Sequence, residues 1–577
     1  MSLPIVRRSV HSQAPLSQSL HPVLDRIYRG RAIASLSELD NAAGQLAHFQ
    51  DLKGIDEAAL CLVNAIKTDK RVTIIGDFDA DGATSTAVCM LALTQMGLSR
   101  VSYLVPNRFD FGYGLSKEIV DVAYEQGTDL LLTVDNGIAC VPGVTHAKTL
   151  GLEVIVTDHH LPAETLPPAD AIVNPNQPGC SFTSKNLAGV GVAFYLMLAL
   201  RSALNKVGWF NAQNPAPNLA SLLDIVAVGT VADVVQLDKN NRVLVHQGLQ
   251  RIRSGRCRPG IKALFEIANR NKPLSYLNAV DLGFVIGPRL NAAGRLDDMA
   301  LGIECLLCDD PLQARHMAAE LDRLNLQRRA IETEMKEEAE SVLASLTMAD
   351  SLPPALILYQ AHFHQGVIGI VAGRLKEQHH RPVIVFAKQD ENTLKGSARS
   401  IPGLHIRDLL DEVNTGWPGV ISKFGGHAMA AGLSLPIAAL PEFEKALHHV
   451  TARHMAALDC ERKILSDGEL DGADIQLPLA HEIRQAGPFG QGFELPLFDG
   501  EFDVVDQRMV GENKNHLKLV LRKADGEEVD GIAFSVDTDV WPSTEIKRAQ
   551  VAYRLDINTF RGRESVQLLI EEIAPVE

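Results

Sequence analysis

Between residues 70 and 240 the chain repeats one pattern: a short run of aliphatic residues ends, and an acidic or imidazole side chain follows it closely. Helical stretches such as Thr84–Met96 and Lys117–Gln126 separate these runs, which predicts a parallel sheet covered by helices. In such a sheet ligands gather outside the carboxyl ends of the strands, so the side chains that follow them should meet at one edge. The predicted strands are Val72–Ile75, Val101–Val105, Leu130–Val134, Val154–Thr157 and Ala171–Val173.

Four segments carry the acidic and imidazole residues, namely VTIIGDFDADG, LLLTVDNG, VIVTDHH and IVAVGTVADVV. Three aspartates within five residues of the first segment repel one another unless a cation neutralises them. Oxygen ligands with one or two imidazoles suit Mn²⁺ or Mg²⁺. One such segment alone is more often a turn, a helix cap or a structural histidine, but four in succession favour a shared metal centre. The candidates are Asp77, Asp79, Asp81, Asp135, Asp158, His159, His160 and Asp233.

The chemistry that these residues favour is hydrolysis of a phosphate ester. Two divalent ions lower the pKa of a bound water, orient it in line with phosphorus and stabilise the departing oxygen. The sequence offers no recognisable pairing of a Ser, Cys or Thr nucleophile with a base, so direct hydrolysis is favoured over a covalent intermediate.

DFDADG, VDNG, DHH and GTVADV resemble the four successive motifs of the DHH phosphoesterase superfamily. The resemblance implies two divalent ions bridged by an aspartate, for which Asp135 is the matching residue. Asp77 is a close auxiliary, and His160 is a ligand or a substrate-facing acid. Ile75 stands where many members have a histidine, so the first metal shell must be completed otherwise, with Asp77 as the candidate. The ligands implied by the matching positions are Asp79, Asp81, Asp135, His159 and Asp233.

Basic groups interleaved with aromatic residues suggest how a single strand could be held. We interpret GPRLNAAGRL as a glycine-flanked turn whose forked donors suit phosphate oxygens. GSARS adds side-chain donors and backbone N–H groups, although each glycine-rich stretch taken alone is equally consistent with a tight turn. A P-loop and a complete dinucleotide fingerprint are both missing from the sequence. The candidate substrate-binding residues are Arg108, Tyr113, Arg289, Asn291, Arg295, Ser397, Arg399 and His427.

The remaining chain predicts three further parts. Charged residues with apolar positions at helical spacing, from 309 to 346, indicate a long connecting helix. A second α/β unit follows, and five short strands after about 465 suggest an OB-like β-barrel. That barrel could instead serve protein interaction or packing. The expected parts are an N-terminal extension (1–50), the catalytic domain (51–308), the connecting helix (309–346), the substrate-binding domain (347–460) and the OB-fold domain (461–577).

GSARS and GGHAMAAG resemble the DHHA1-type companion domain of the superfamily, and the whole arrangement resembles its bacterial single-stranded-DNA exonucleases. The resemblance implies 5′-to-3′ hydrolysis to 5′-mononucleotides in recombination, base excision and mismatch repair. It places Arg108, Ser397 and Arg399 around the 5′-phosphate, Tyr113 near the leading nucleotide and His427 at the phosphate near the metals. It also implies a monomer, with a single-strand-binding protein and a RecQ-type helicase as partners.

Composition adds two constraints. The net charge of −16 argues against a nucleic-acid binder, although metal-binding carboxylates and a local basic channel can reconcile the two. Scattered cysteines, with the single Cys305–Cys308 pair in an apolar run, favour buried thiols over a zinc or redox site. The chain has neither a secretory signal nor a run long enough for a membrane span. We therefore expect a cytoplasmic protein.

Two other functions fit parts of the pattern. A hydrolase of this superfamily could act on short oligoribonucleotides, cyclic dinucleotides or pyrophosphate, but the chain length and the extra barrel favour a longer substrate. A non-catalytic DNA-binding scaffold would be expected to have lost ligands, whereas every motif acid and both histidines are present.

Overall fold

The computed structural model describes residues 4–10, 14–106, 114–269, 272–347, 352–456, 463–511 and 514–576. It divides into two compact units. Unit 1 comprises residues 1–294, 298–322 and 463–577, and unit 2 comprises residues 295–297 and 323–462. Within the described ranges, no helix combines the length and the apolar character needed to cross a bilayer.

Unit 1 begins with a short strand and helix and continues into a five-stranded parallel sheet. The sheet order is β3-β2-β4-β5-β6, so the chain leaves β2 for one side and then crosses to the other. That reversal opens a crevice at the carboxyl ends of β2 and β4. The elements are β1 Ile5–Arg7, α1 Pro22–Arg29, α2 Ile55–Lys67, β2 Val72–Ile75, α3 Ala80–Gln95, β3 Val101–Leu104, α4 Lys117–Glu125, β4 Leu130–Val134, α5 Val141–Thr149, β5 Glu153–Thr157 and β6 Ala171–Val173.

Helices cover both faces of this sheet, as the alternating pattern predicted. One face packs against α4 and α5 through a buried aliphatic cluster that includes Ile75, Val120, Leu131 and Val144. On the other face α3 packs against helices that follow the sheet in the chain. These further helices are α6 Gly189–Lys206, α7 Leu223–Ala232, α8 Lys239–Arg253, α9 Pro259–Ala268, α10 Ala279–Asp281, α11 Gly287–Leu296 and α12 Ala300–Leu307.

The interpretation of GPRLNAAGRL as a turn was wrong, because these ten residues form α11. A π-helical segment, Leu282–Ile286, joins α10 to α11. The glycines of α11 allow close packing and do not form a turn. A Cβ on Gly294 would lie 1.8 Å from the Phe78 carbonyl oxygen, so only glycine lets the helix approach the loop after β2.

The long helix predicted over 309–346 is α13, Pro311–Thr347. Unit 2 contains its later part and a mixed sheet of order β10-β11-β9-β8-β7, in which only β7 and β8 pair in parallel. GSARS lies within or just after β9, and KFGGHAMAAG forms the β10–β11 hairpin, so both are mainly extended. The elements are β7 Leu356–Tyr359, α14 Ile368–His379, β8 Val383–Lys388, β9 Thr393–Arg399, α15 Ile406–Gly416, β10 Lys423–Gly426, β11 Ala430–Pro436 and α16 Leu440–Met455.

The C-terminal part of unit 1 is a closed five-stranded barrel of order β13-β14-β15-β17-β16, which confirms the OB-like prediction. Alternating buried residues, such as Leu517, Leu519 and Leu521 on β14, fill its interior. Three of the strands are longer than the short strands that the sequence suggested, since β13 and β16 have 13 residues each and β17 has 14. The elements are β12 Ile464–Ser466, α17 Leu477–Gln485, β13 Phe498–Val510, β14 His516–Arg522, β15 Glu528–Ala533, β16 Arg548–Phe560 and β17 Arg563–Val576.

The N-terminal segment packs against the residues around this barrel. β1 pairs in parallel with β12, and the Arg31 guanidinium donates to both carboxylate oxygens of Asp467 at 2.7 and 3.0 Å. Both side chains are almost completely buried, with exposed fractions of 1% and 2%. A buried pair of this kind is costly to break because the remaining charge has no solvent.

We therefore predict that Arg31→Ala destabilises unit 1 by about 3 kcal/mol, the lower end of the usual scale for breaking a buried pair, because Asp467 keeps the Leu497 N–H at 3.1 Å and the Arg8 guanidinium at 3.9 Å. Denaturant unfolding followed by circular dichroism measures the change. Arg522→Ala is the matched control, because Arg522 pairs with Glu528 at the surface and such pairs contribute at most about 1 kcal/mol. Equal effects of the two substitutions would contradict the assignment of the Arg31 pair as a structural anchor.

Candidate metal centre

The loops after β2 and β4 bring their aspartates together at the crevice of the sheet. Asp77 is buried two residues beyond β2, and Asp79 caps α3 by accepting from the N–H groups of Asp81 and Gly82, both at 3.0 Å. Asp135 follows β4 with φ of 61°, a left-handed conformation that aspartate tolerates better than most residues. The Asn136 amide donates to the Ile75 and Val134 carbonyls and so ties the two strand ends together.

Three overlapping groups of side chains have the spacing of metal ligands. Each group offers ligand atoms that lie within 4.8 Å of one another. Asp135 and His159 each belong to two of the groups, and Asp135 is the one suited to bridge two ions because a carboxylate offers two oxygens. The groups are Asp77 with Asp79 and Asp135, Asp81 with His159 and Asp233, and Asp135 with His159 and His160.

His159 lies at the middle of this cluster. Its Nε2 is 3.2 Å from Asp135 Oδ1, 3.5 Å from Asp233 Oδ2 and 3.9 Å from Asp81 Oδ2. Ligand atoms about 2.1 Å from one octahedral ion lie about 3 Å apart, so these separations fit a small divalent cation. Asp233 Oδ2 is buried and accepts no hydrogen bond from the described residues, which is a further sign that the cluster is built for a cation.

Asp81 is aligned by the amino terminus of α6. Its two carboxylate oxygens accept from the backbone N–H groups of Gly189 and Val190 at 2.6 and 2.8 Å. A Cβ on Gly189 would lie 2.6 Å from Asp135 Cβ and Oδ1, so glycine is required for this packing. The sequence showed a G-V-G at this place, but only the structure gives these residues a part in the site.

The aspartate of the DHH motif, Asp158, positions the second histidine, His160. Asp158 is buried and accepts from the N–H groups of Ile138, His159 and His160. It also contacts His160 Nδ1 at 2.7 Å, which fixes the orientation of that ring. Burial alone would raise the Asp158 pKa, but its bond to His160 outweighs this and lowers it. The same bond overcomes the effect of burial on His160 and raises its pKa to about 9.

The remaining carboxylates repel one another in the absence of cations. Burial, followed by the charge of Asp79, raises the pKa of Asp81 to about 7. Burial and neighbouring aspartates also raise the pKa values of Asp135 and Asp233. Bound cations would reverse these shifts, because they favour the ionised ligands. The residues therefore fit two divalent ions, such as Mn²⁺ or Mg²⁺.

Two of the substrate candidates on α11, Asn291 and Arg289, make hydrogen bonds within the protein. Asn291 Oδ1 accepts from the Ala80 N–H at 2.8 Å, one residue from each of Asp79 and Asp81. Arg289 pairs with Asp322 at 2.8 Å, and its Nη1 donates to the Val285 carbonyl. Sequence reasoning missed this capping role, since nothing local links residue 291 to residue 80.

Unit 2 places two of the predicted phosphate ligands side by side on β9. Arg399 Nη1 donates to Ser397 Oγ at 3.1 Å and to the Ala398 carbonyl at 2.8 Å. Burial lowers the pKa of Arg399, and no carboxylate among the described residues pairs with it. Arg295 donates to the Gly366 carbonyl, and His427 is exposed on the β10–β11 hairpin. Arg108 and Tyr113 lie outside the described residues.

We predict that stabilisation of the chain by Mn²⁺ grows between pH 6 and pH 8. The pKa of Asp81 is about 7, above its value in the unfolded chain. Without metal, the stability that depends on the protonated form is therefore lost as pH rises through 7. A cation must displace the protons bound to its ligand carboxylates. Its apparent affinity therefore rises with pH, by up to about tenfold per pH unit for each proton displaced.

Thermal unfolding with and without Mn²⁺ across this range measures the effect. Asp121→Ala, which changes an exposed aspartate on α4, should behave like the unaltered chain. A shift in melting temperature that is the same at pH 6 and pH 8 would contradict the assignment of raised pKa values to the ligands.

Comparison with known proteins assigns the three folded parts. Residues 71–230 match the DHH family N-terminal domain, residues 353–453 match the DHHA1 domain, and residues 466–572 match the RecJ OB domain. The single-stranded-DNA-specific exonuclease RecJ of Escherichia coli (strain K12) is 52% identical over 573 residues, covering 99% of each chain.

Solved structures agree with this assignment. RecJ from Thermus thermophilus in complex with Mn²⁺ superposes with a TM-score of 0.79 at 30% identity, covering 100% of this chain and 79% of that one. The same protein in complex with Mg²⁺ gives a TM-score of 0.74 at 29% identity, covering 100% and 78%. The protein therefore belongs to the RecJ family of single-stranded-DNA-specific exonucleases, with the DHH, DHHA1 and OB domains of that family.

Proposed function

We propose that this chain hydrolyses single-stranded DNA from the 5′ end with two divalent ions, Mn²⁺ or Mg²⁺, and releases 5′-mononucleotides. The observation that carries the hydrolytic step is the overlap of the ligand groups at Asp135. The substrate class rests on the family, whose relatives are named as single-stranded-DNA-specific exonucleases.

Each residue of the centre has a distinct part in this proposal. Asp77, Asp79 and Asp135 would hold one ion, and Asp81, His159 and Asp233 would hold the other, with the Asp135 carboxylate, 3.2 Å from His159, available to both. The ions supply an activated water and neutralise the developing charge on the phosphate. His160 is oriented by Asp158, whose Oδ1 lies 2.7 Å from its Nδ1, so its protonated ring would be placed to donate to a phosphate oxygen beside the ions.

We assign recognition of the 5′-phosphate to Ser397 and Arg399. A Cβ on Gly369, at the start of α14, would lie 2.9 Å from Ser397 Oγ and 3.0 Å from Arg399 Nη2. The amino terminus of a helix, a hydroxyl and a guanidinium that no carboxylate of the described residues pairs with together favour a phosphate. His427, and Arg108 with Tyr113 beyond the described residues, complete the proposed strand contacts.

The wider setting is proposed from the family resemblance. It includes recombination, base excision and mismatch repair, recruitment by a single-strand-binding protein and a RecQ-type helicase, and a monomeric state. Bacterial DNA repair takes place in the cytoplasm, which is where we propose that the chain acts. We also propose the domain limits predicted from the sequence (51–308, 347–460 and 461–577), which are supported because the family matches fall within them.

We predict that Asp135→Ala reduces hydrolysis of long single-stranded DNA to background in Mn²⁺, because it removes the ligand shared by both ions. DNA binding should remain within about threefold, since the carboxylate contacts metal and not the bases. A 5′- and a 3′-labelled strand assayed in parallel report the reaction and its direction, with Asp121→Ala as the control.

Undiminished cleavage by Asp135→Ala would overturn the two-metal assignment. Cleavage limited to di- to tetranucleotides, with long strands untouched, would overturn the exonuclease proposal in favour of an oligonucleotide hydrolase.

We predict that Arg399→Ala removes the preference for a 5′-phosphate over a 5′-hydroxyl end, with a loss of about 10- to 100-fold on the phosphorylated strand only. A hydrogen bond to a charged group contributes about 1.5–3 kcal/mol, which sets this range. The ratio of kcat/KM for the two strands measures it. Arg407→Ala, an exposed arginine on α15, is the matched control, and an unchanged ratio in Arg399→Ala would contradict the assignment.

A further inference from the structure

Phe284 is a large aromatic residue that the fold leaves uncovered, on a segment that packs against α7. Its side chain is 78% exposed, the largest exposed fraction among the large apolar residues of the described chain. It lies in the middle of an ordered helix and not at a loop tip. An isolated apolar residue on a surface needs no explanation, so the case depends on where Phe284 is and what holds it there.

The residues on either side of Phe284 pack against α7, the helix that ends at the candidate ligand Asp233, and a Cβ on Gly287 would lie 3.0 Å from Ala232 Cβ. A Cβ on the adjacent Gly283 would lie 3.3 Å from Val231 Cγ1. Val231 belongs to the last turn of α7, for which Asp233 is the C-cap. The segment that carries Phe284 therefore packs against the last turn of α7, directly before Asp233.

The backbone around Phe284 is π-helical, from Leu282 to Ile286. Such wide turns occur mainly as single insertions and often at functional sites. Arg289, itself anchored by Asp322, donates to the Val285 carbonyl in the same turn at 2.7 Å. The Arg289 side chain therefore stabilises this segment. The ring of Phe284 projects from the helical segment into solvent.

A second, independent feature lies on the other side of Asp233. Val234 is 63% exposed and has φ of 61°. A β-branched residue in the left-handed region is strained, and strain of this kind is concentrated at functional sites. Its N–H donates to the Val231 carbonyl, so Val234 and Phe284 both emerge around the end of α7.

We propose that Phe284 is a substrate-binding residue that stacks on a nucleobase of the single strand, with Val234 as an apolar contact beside it. This rests on the proposed function. Phosphates of one strand are spaced by about 3.4 Å along a duplex axis, so a strand whose scissile phosphate lies at Asp233 would pass the end of α7 within a few nucleotides. The flat ring accepts any base, because every base has a π-face, whereas bases paired in a duplex have no exposed face to offer.

The test is steady-state hydrolysis of single-stranded DNA in Mn²⁺ by Phe284→Ala and Phe284→Trp. Phe284→Ala should raise KM about tenfold, the effect of losing one stacked base, with kcat within about threefold. Phe284→Trp keeps the stacking surface and should restore KM to within about twofold. The change is at an exposed position, and thermal unfolding will show whether both variants fold like the unaltered chain.

A base-specific readout separates stacking from a structural role. Strands that carry one abasic nucleotide at successive positions should show a raised KM for the unaltered chain at one or two positions. Phe284→Ala should be insensitive at those same positions. Tyr124→Ala is the matched control, since Tyr124 is 49% exposed near the end of α4, at the sheet edge opposite the metal centre.

The outcomes are distinguishable. An unchanged KM for Phe284→Ala, or an abasic penalty that is equal in variant and unaltered chain at every position, overturns the stacking assignment alone. Failure of the unaltered chain to degrade single-stranded DNA overturns the proposed function itself.

Discussion

The repulsion among buried carboxylates at one edge of the sheet is the constraint on which the rest of the site depends. Burial, and after it the charges of neighbouring aspartates, raises the pKa values of Asp81, Asp135 and Asp233. Such a cluster destabilises the folded chain when cations are absent and stabilises it when they bind. Local contacts of the fold offset that cost. Backbone N–H groups of α6 align Asp81, and the Asn136 amide joins β2 to β4. The metal affinity is thus built into the scaffold and not only into the ligands.

The sheet and its acids could be predicted because both depend on local sequence. A buried parallel strand needs a continuous aliphatic run, and the predicted bounds of β2, β4 and β6 match those observed. The prediction of a turn at GPRLNAAGRL was wrong because a glycine in the sequence is equally compatible with a turn and with close packing of a helix. Gly294 is required by the Phe78 carbonyl, which is more than two hundred residues away in the chain. Contacts of that kind depend on tertiary packing and leave no local signal.

The acidic composition illustrates a related limit. The net charge of −16 describes an average, whereas phosphate recognition depends on which cations lack an anionic partner. Arg31 and Arg289 are each committed to a carboxylate, but among the described residues Arg399 has only Ser397 and a carbonyl as hydrogen-bond acceptors. Sequence alone marks all three as equal positive charges. Only the presence or absence of a carboxylate partner in the structure distinguishes a structural arginine from one that is available to bind a ligand.

Backbone strain links the metal centre to the proposed strand contacts. Asp135 and Val234 both have φ of 61°, and each lies at or beside a ligand. Aspartate adopts this conformation at modest cost, but valine does so only when the surroundings force it. At the end of α7, Asp233 joins the cluster of candidate ligands while the next side chain, Val234, is exposed to solvent. The backbone conformation of Val234 therefore places a candidate metal ligand and a proposed apolar strand contact next to each other. This arrangement suits a metal nuclease that binds a strand without recognising its sequence.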